Sequence, residues 1–472
     1  MSSVDTLSFS PSVDGRQVQS WRSHIRATLI VGVPLVGSQV GGMLMNMTDV
    51  AMLGWYGITE LAAGSLVTQF WFTVMMFGAG FAYAVVPMAA DGEGRGDIVH
   101  VRRTVRMGIW VCIAFCIVVM PILWFTEDIF LLLRQEPEVA RLSGEYMRIA
   151  QWAILFLLCS WTLRGFLTAI ERTGFYFWIT FIGVLVNVAL NWLFIFGNLG
   201  MPELGMRGAA IATLGTNATI FVIAIFYCMR EPRAQAYELF VRFWKPDWAM
   251  FKKVVMLGAP ISLMITAETG MFIFSSIFMG WLGVIPLAAH GIVLVIASLA
   301  FMVPMGISQA ATARVGNFWG RSDPANLARA AYTVMGMCIV FASCSAMLFA
   351  FLPEHLISLF LDETDADAAS VLPYAVPLLF VAACFQLVDS AQAIAAANLR
   401  GMQDTKLPMY IASTCYWVIG LGLSYMLAFP LGLGGIGVWT GLAVGLACAS
   451  VALSWRFEVV RPKVANRPAH PA

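Results

Sequence analysis

Three acidic side chains lie inside or at the edge of long apolar stretches of the chain: Asp49, Glu268 and Asp389. A charge at the centre of a membrane helix costs about 2.5–3.5 kcal/mol on insertion scales, so such residues usually face the interior of a helix bundle. No lysine or arginine lies at the same depth of these stretches to neutralise them. The expected partner is therefore a proton, a metal cation or a cationic ligand, and these acids are the candidate substrate- and cation-binding residues.

Two asparagines extend this candidate site. Asn187 and Asn191 are four residues apart in one apolar stretch, so they share a helix face. One interpretation is that they hydrogen-bond neighbouring helices, and the other is that they offer neutral oxygens to a cation. On the second interpretation a Na⁺ site would be formed by four residues: Glu268, Asp389, Asn187 and Asn191.

Amide side chains close to the acids are predicted to play a supporting role. Gln386 and Gln392 lie three residues before and three residues after Asp389. Gln39 and Asn46 precede Asp49. A competing interpretation is that the amides only hold a buried acid in place. For Asp49, which lies toward the outer end of its stretch, an ordinary interfacial position is also possible.

The composition indicates what kind of protein carries these residues. Of 472 residues, 60% are hydrophobic and only 12% are charged, whereas soluble domains have about 45–50% apolar and about 25% charged residues. These values exclude a soluble enzyme, a disordered protein, a disulfide scaffold and a nucleic-acid binder. No phosphate-binding Gly-Lys-Ser/Thr motif is present, so ATP-driven transport is not expected. No cofactor is expected beyond a coupling ion.

Twelve apolar stretches are long enough to cross a lipid bilayer as helices, which needs roughly 20 residues each. They are continuous rather than alternating, which excludes a transmembrane β-barrel. The sequence therefore predicts an all-α membrane protein with spans near 27–49, 61–88, 104–125, 148–169, 175–196, 207–229, 254–279, 287–311, 330–352, 372–397, 409–430 and 435–456.

The distribution of basic residues predicts the orientation. With the N-terminus inside, only four of the 28 Lys and Arg residues fall in outer segments: Arg134, Arg141, Arg148 and Arg207. The outer segment 353–370 has no basic residue and five acids: Glu354, Asp362, Glu363, Asp365 and Asp367. By the positive-inside rule both termini are cytoplasmic, and the membrane is expected to be a bacterial inner membrane.

The two halves of the chain repeat. A shift of 226 positions without any gap pairs Pro34 with Pro260, and it pairs the motif at 94–97 with that at 320–323. Six spans per half keep both halves the same way up, which predicts two six-helix lobes related by a parallel pseudo-two-fold axis. The predicted segments are a cytoplasmic segment 1–26, a lobe 27–229, a cytoplasmic loop 230–253, a lobe 254–456 and a cytoplasmic tail 457–472.

Several motifs in fixed order resemble the multidrug and toxic compound extrusion (MATE) family, in particular its bacterial NorM-like branch. They are NMTDVAMLG (46–54), VNVALNWLFIFG (186–197), PELGMRGAAIAT (202–213), VPMGISQAATARVGNFWG (303–320) and DSAQAIAAANLRGMQDT (389–405). The resemblance extends from about residue 25 to residue 457. It implies a two-lobed antiporter that expels small organic, often cationic compounds in exchange for inward Na⁺ or H⁺ and contributes to antibiotic resistance.

The resemblance also carries roles to individual residues. The family's acids of the first, seventh and tenth spans fall on Asp49, Glu268 and Asp389, and its polar pair of the fifth span falls on Asn187 and Asn191. Two positions depart from the family pattern. Gly291 replaces a glutamine that follows His290 in many relatives, and Phe385 stands where relatives can carry a tyrosine. Both departures remove a possible ligand for an ion.

Three other functions remain open. A lipid-linked oligosaccharide flippase would line its cavity with Arg or Lys to hold a pyrophosphate, and a major-facilitator-type transporter would lack the ordered motifs above. A channel or structural protein would need no internal carboxylates. The sequence favours an antiporter that acts as a monomer in the lipid bilayer, without a nucleic-acid partner.

Overall fold

The computed structural model describes residues 9–13, 16–360 and 368–464. Before the first helix, strands β1 (Phe9–Val13) and β2 (Arg16–Gln19) form an antiparallel hairpin that pairs Phe9 with Gln19. The predicted acids Asp362, Glu363, Asp365 and Asp367 of the outer segment, and the end of the predicted tail at 465–472, lie outside the described residues.

Helices make up the rest of the described architecture. The first half of the chain contains α1 (Trp21–Tyr56), α2 (Ile58–Tyr83), α3 (Val85–Gly94), α4 (Ile98–Trp124), α5 (Thr126–Leu132), α6 (Pro137–Ala169), α7 (Gly174–Ile195), α8 (Met206–Arg230) and α9 (Pro232–Gln235). The second half contains α10 (Trp248–Leu282), α11 (Val284–Gly320), α12 (Pro324–Phe351), α13 (Pro353–Ser358), α14 (Ala368–Gly401), α15 (Lys406–Thr414), α16 (Gly422–Ala428) and α17 (Gly434–Val460). A π-helix, Cys415–Leu421, joins α15 to α16.

Twelve of these helical segments are long and apolar enough to cross a membrane, which confirms the predicted all-helical, twelve-span architecture. Most helices extend beyond the predicted spans because polar turns continue them. Helix α6, for example, begins at Pro137 rather than near residue 148. Its first turns carry Arg141, which forms ion pairs with Glu138 and Glu145 one turn away on either side. An apolar-run criterion cannot detect such charged turns.

The chain forms two compact units, residues 37–262 and residues 1–36 with 263–472. We call them the N-terminal and C-terminal units. Both boundaries fall inside a long helix, two residues after Pro34 of α1 and two residues after Pro260 of α10. The predicted boundaries at residues 229 and 254 describe the sequence repeat and stay a prediction.

Close glycine contacts explain why each of these helices is divided between the units. In the C-terminal unit, a Cβ on Gly306 of α11 would lie 2.6 Å from the backbone of Val36 in α1. In the N-terminal unit, a Cβ on Gly80 of α2 would lie 2.3 Å from the backbone nitrogen of Ser262 in α10. The two contacts are related by the 226-residue shift, so the repeat preserves a packing contact as well as a motif.

The repeated motif at 94–97 and 320–323 is a helix stop followed by a helix start. Helix α3 ends at Gly94 and α11 ends at Gly320. Three residues later, the side chain of Asp97 accepts from His100 N at 2.8 Å, and that of Asp323 accepts from Asn326 N at 3.0 Å. Both acids therefore cap the N-terminus of the next helix, α4 or α12.

The predicted cytoplasmic loop 230–253 is partly helical, because α10 begins at Trp248. Asp247 caps this helix by accepting from Met250 N at 3.1 Å, and it also accepts from the Arg103 guanidinium of α4. The hydrogen bond from Arg103 holds the pKa of Asp247 below its usual range. The lowered pKa means that the pair stabilises the fold at neutral pH and loses this contribution as the pH falls through the folded-state pKa.

Helix α17 packs closely against the eleventh span at Gly441, where a Cβ would lie 2.2 Å from Ser424 N. We expect Gly441→Ala to lower the thermal unfolding temperature, because the overlap costs about 1–3 kcal/mol and exceeds the roughly 1 kcal/mol gained from helix propensity. Gly336→Ala in α12 is the matched control, since a Cβ there meets nothing within 4 Å. The control should be neutral or stabilising, and equal effects of the two variants would contradict this packing.

Candidate functional site

Helix α7 presents its polar side chains to the interior of the N-terminal unit. Asn187 and Asn191 are 2% and 0% exposed, whereas Leu185, Val188 and Trp192 on other faces of the helix are exposed. This distribution is opposite to that of a helix in a soluble protein, and it is expected where lipid surrounds the bundle. The four-residue spacing therefore brings both amides to one buried face, as the sequence predicts.

Both amides donate to the first-span acid. Asn191 Nδ2 donates to Asp49 Oδ1 at 2.6 Å, and Asn187 Nδ2 donates to the same oxygen at 3.0 Å. Among the described residues no hydrogen bond reaches Asp49 Oδ2, so this oxygen can take a proton or face a cation. The buried Asn191 Oδ1 accepts no hydrogen bond from the described residues. We call Asp49, Asn187 and Asn191 the N-terminal acid site.

A small cleft opens beside Asp49. Its walls are mainly apolar and consist of Val50, Leu53, Leu61, Gly64 and Ala209 together with Asp49. Three hydroxyl-bearing side chains complete the lining: Ser65, Thr68 and Tyr146. Tyr146 is 5% exposed, and its hydroxyl lies 3.4 Å from Thr213 Oγ1. Tyr146 and Thr68 could not be predicted from the sequence, because single polar residues on other helices give no periodic signal.

The two amides that precede Asp49 do not contact its carboxyl group. Gln39 Oε1 accepts from Arg164 Nη1 at 3.3 Å, and the Asn46 side chain is exposed. Arg164 itself is only 4% exposed and lies over the rings of Trp161 and Tyr176, 5.3 and 5.7 Å from their centroids. Gln39 therefore serves a buried cation, and its predicted support of Asp49 is not seen.

The tenth-span acid lies among buried amides of α14. Asp389, Gln386 and Gln392 are 4%, 0% and 1% exposed. Among the described residues, Asp389 Oδ1, Gln386 Oε1 and Gln392 Oε1 accept no hydrogen bond, and the buried Thr266 Oγ1 of α10 is also without a partner. The donor Gln386 Nε2 also lacks a partner among the described residues. Buried polar atoms without partners are costly in a low-dielectric interior, so these residues leave polar capacity for a ligand.

The seventh-span acid belongs to the same unit. Glu268 is partly buried and lies within electrostatic range of Asp389. It is also within range of Arg400, which lies in the last turn of α14. Sequence alone placed Arg400 away from mid-depth, so its proximity to Glu268 is a finding of the structure. We call Glu268 and Asp389 the C-terminal acid pair.

The predicted four-residue sodium site stays a prediction. The amide nitrogens of Asn187 and Asn191 face Asp49, and these residues belong to the N-terminal unit, whereas Glu268 and Asp389 belong to the C-terminal unit. Spacing along one helix cannot reveal which acid a pair of asparagines meets. The described residues contain no cluster of three or more His, Cys, Asp or Glu side chains suited to a metal ion.

Comparisons with known proteins decide the family. The MatE family model matches residues 34–193 and 260–426, which together are more than half of the chain. The chain belongs to the MATE family. The "Probable multidrug resistance protein NorM" of Rhizobium meliloti is 48% identical over 95% of this chain and 96% of its own length. A protein of the same name from Agrobacterium fabrum is 44% identical, over 93% and 95%.

A solved structure supports the MATE fold. The crystal structure of a mutant of the Vibrio cholerae MATE transporter VcmN superposes with a TM-score of 0.86, covering 95% of this chain and 99% of its own, at 14% identity. This chain is therefore a multi-pass membrane transporter of the MATE family and not an enzyme.

One departure of this MATE chain lies beside a neutral hydrogen-bond network. His290 is 1% exposed, and its Nδ1 accepts from Trp439 Nε1 at 3.1 Å, because an indole nitrogen can only donate. Its Nε2 lies 3.1 Å from Ser276 Oγ, whose own hydrogen goes to Phe272 O. His290 is thus the neutral Nε2–H form with both nitrogens partnered. At the neighbouring Gly291 a Cβ would meet nothing within 4 Å.

His290 should therefore matter for folding. We expect His290→Phe to lower the thermal unfolding temperature of the purified protein, because it leaves the buried Trp439 N–H unpaired at about 1–3 kcal/mol. The exposed His355 supplies the control variant His355→Phe, which should unfold like the wild type. An unchanged unfolding temperature for His290→Phe would contradict the network.

Proposed function

We propose that this chain is a multidrug efflux antiporter that exports small organic, often cationic compounds in exchange for inward Na⁺ or H⁺. The names of its relatives, probable multidrug resistance proteins, support the class of substrate. One observation carries the proposal. Among the described residues, no Lys or Arg comes within 4 Å of Asp49, Glu268 or Asp389 to form an ion pair, although all three lie in membrane-spanning helices.

The N-terminal acid site is suited to a small or partial cationic ligand. Two amide donors hold one oxygen of Asp49 and leave the other for a proton or a cation. The apolar walls at Val50 and Leu53 can receive the lipophilic part of an organic cation. The cleft is small in this state, so it accommodates only part of a drug-sized compound.

The C-terminal acid pair is suited to a metal cation. Two carboxyl groups in electrostatic range repel each other unless a proton or a cation joins them. The surrounding atoms without partners include amide carbonyl oxygens, which are good ligands for hard cations. These features support Na⁺ at Glu268 and Asp389, and a proton could serve in its place.

Drug export is coupled to ion import if the drug and the ion bind preferentially to different conformations of the protein, each open to one side of the membrane. A ligand can shift a conformational equilibrium only by its difference in affinity for the two states. Carboxyl groups that bind a cationic drug from one side and a coupling ion from the other satisfy this condition. We expect a monomer in the bilayer to be the functional unit.

We predict that Asp49→Asn, Glu268→Gln and Asp389→Asn each reduce the rate of uphill efflux of a cationic dye from proteoliposomes by about ten-fold or more. A loss of about 1.4 kcal/mol in binding the ion or drug suffices for a factor of ten. Imposing Na⁺ and pH gradients separately identifies the coupling ion, since efflux should stop when the effective gradient is removed.

Asp128→Asn is the matched control, because Asp128 is an exposed acid in the short helix α5. It should transport dye like the wild type. Normal uphill efflux by all three site variants, with folded protein verified by size-exclusion chromatography, would overturn the antiport scheme. Downhill flux that ignores both gradients would indicate a channel.

The orientation is also a proposal: both termini are cytoplasmic in a bacterial inner membrane, because only four of 28 basic residues fall in outer segments. We predict that a peptide tag at the C-terminus is protected from protease added outside right-side-out vesicles, and that a tag inserted next to Arg134 is cleaved. The reverse pattern of cleavage would contradict the orientation.

A further inference from the structure

The eleventh span contains a π-helix next to the C-terminal acid pair. Between α15 and α16, residues Cys415–Leu421 form π-helical turns. Such wide turns insert an additional residue into a helix, disturb its regular hydrogen bonding and occur frequently at functional sites. Their usual consequence is that one side chain points in a direction that a regular α-helix would not allow.

Close packing against α17 accommodates this segment. A Cβ on Gly445 would lie 2.6 Å from the Cα of Gly420 and 2.9 Å from the carbonyl oxygen of Cys415. The π-helix therefore rests directly on the backbone of the twelfth span, and any larger residue at position 445 would push it away. Its wide turn is held by tertiary structure.

Tyr416 is the polar side chain that this segment directs inward. It is 0% exposed, and its Oη accepts a hydrogen bond from Gln392 Nε2 at 2.5 Å. Gln392 lies one turn after Asp389 on α14. Tyr416 is also within electrostatic range of both Glu268 and Asp389. The phenol thus belongs to the surroundings of the acid pair although it comes from another helix.

The hydrogen-bond capacity of the phenol is only partly used. A tyrosine hydroxyl has one donor hydrogen and two acceptor lone pairs, and Gln392 occupies one lone pair. Among the described residues the buried Asp389 Oδ1 lacks a donor. The O–H of Tyr416 is therefore available for a carboxylate, and its second lone pair is available for a cation.

Phe385 cannot perform this role. It precedes Asp389 by four residues, but its ring has no hydroxyl and lies among aromatic rings, 5.4 Å from the centroid of Trp439 and 6.1 Å from that of Phe272. The position therefore contributes packing alone. A phenol near the acid pair is supplied instead by the eleventh span.

We propose that Tyr416 supplies the neutral oxygen ligand of a Na⁺ site formed with Glu268 and Asp389, and that Gln392 orients it. This inference rests on the proposed function, in which the acid pair binds the coupling ion. Gln392 donates to the phenol oxygen, the phenol O–H meets a carboxylate, and the remaining lone pair faces the ion. The ligands are then two carboxylates and one phenol, all oxygens of the kind hard cations prefer.

The test is equilibrium binding of radiolabelled Na⁺ to the purified full-length protein in detergent. Tyr416→Phe should weaken Na⁺ binding by about ten-fold or more, while the affinity for a cationic dye stays near wild type. The thermal unfolding temperature without Na⁺ should fall modestly, because the buried Gln392 Nε2 loses its acceptor. Tyr425→Phe is the matched control, because Tyr425 follows in α16 and its ring packs against Phe278 and Phe429. It should bind Na⁺ normally.

A double-mutant cycle separates a joint role from two independent ones. Gln392→Met should weaken Na⁺ binding less than Tyr416→Phe, and the double variant should be no worse than Tyr416→Phe alone, because the glutamine acts through the phenol. Additive losses would overturn the assignment of Gln392. Full Na⁺ affinity in Tyr416→Phe, or no Na⁺ binding by the wild type, would overturn the assignment of Tyr416.

Asp389→Asn distinguishes this inference from the proposed function. If Asp389→Asn loses Na⁺ binding while Tyr416→Phe keeps it, the acid pair binds the ion and only the role of Tyr416 is wrong. If Asp389→Asn binds Na⁺ and transports dye normally, the proposed function of the acid pair is wrong as well.

Discussion

A carboxyl group inside an apolar helix bundle must find donors or a cation, because no bulk water is present to solvate it. The two units meet this requirement differently. In the N-terminal unit two amide nitrogens converge on one oxygen of Asp49, so the protein itself meets part of the hydrogen-bonding capacity of this acid. In the C-terminal unit Asp389 has a second acid in range and buried polar atoms without partners around it, an arrangement that a proton or a cation relieves. The first site is already organised around its acid, whereas the second depends on its ligand.

The spans and the acids could be predicted from sequence because both signals are local. A continuous apolar run predicts a membrane helix wherever it occurs, and an acid within it stands out by type alone. Helix ends were less predictable, since α6 begins with charged turns that an apolar-run criterion ignores. The π-helix at Cys415–Leu421 has no sequence signal, because its wide turn is held by the glycine backbone of α17.

The partners of the acids could not be predicted because they come from other helices. The asparagine pair was placed correctly on one face of α7, but its spacing does not reveal that Asp49 is the acid it meets. Gln39 contacts Arg164 instead of Asp49, since about three helical turns of α1 separate the two side chains. Nothing in the sequence distinguishes Tyr416 from the other tyrosines of its span, and only tertiary structure brings its hydroxyl to Gln392.

The repeat conserves the scaffold and diversifies the sites. The helix caps Asp97 and Asp323 occupy equivalent positions of the repeat. By the same 226-residue shift, the position equivalent to Asp49 is Ser275, and the position equivalent to Gly64 is His290. In the N-terminal unit Gly64 lines the cleft beside the acid. In the C-terminal unit the equivalent imidazole is buried, and its nitrogens are occupied by Trp439 and Ser276. A glycine thus leaves room for a ligand in one half, whereas a histidine fills the same position in the other. The ionisable groups of the second half therefore lie elsewhere, on α10 and α14, where the phenol of the eleventh span can reach them.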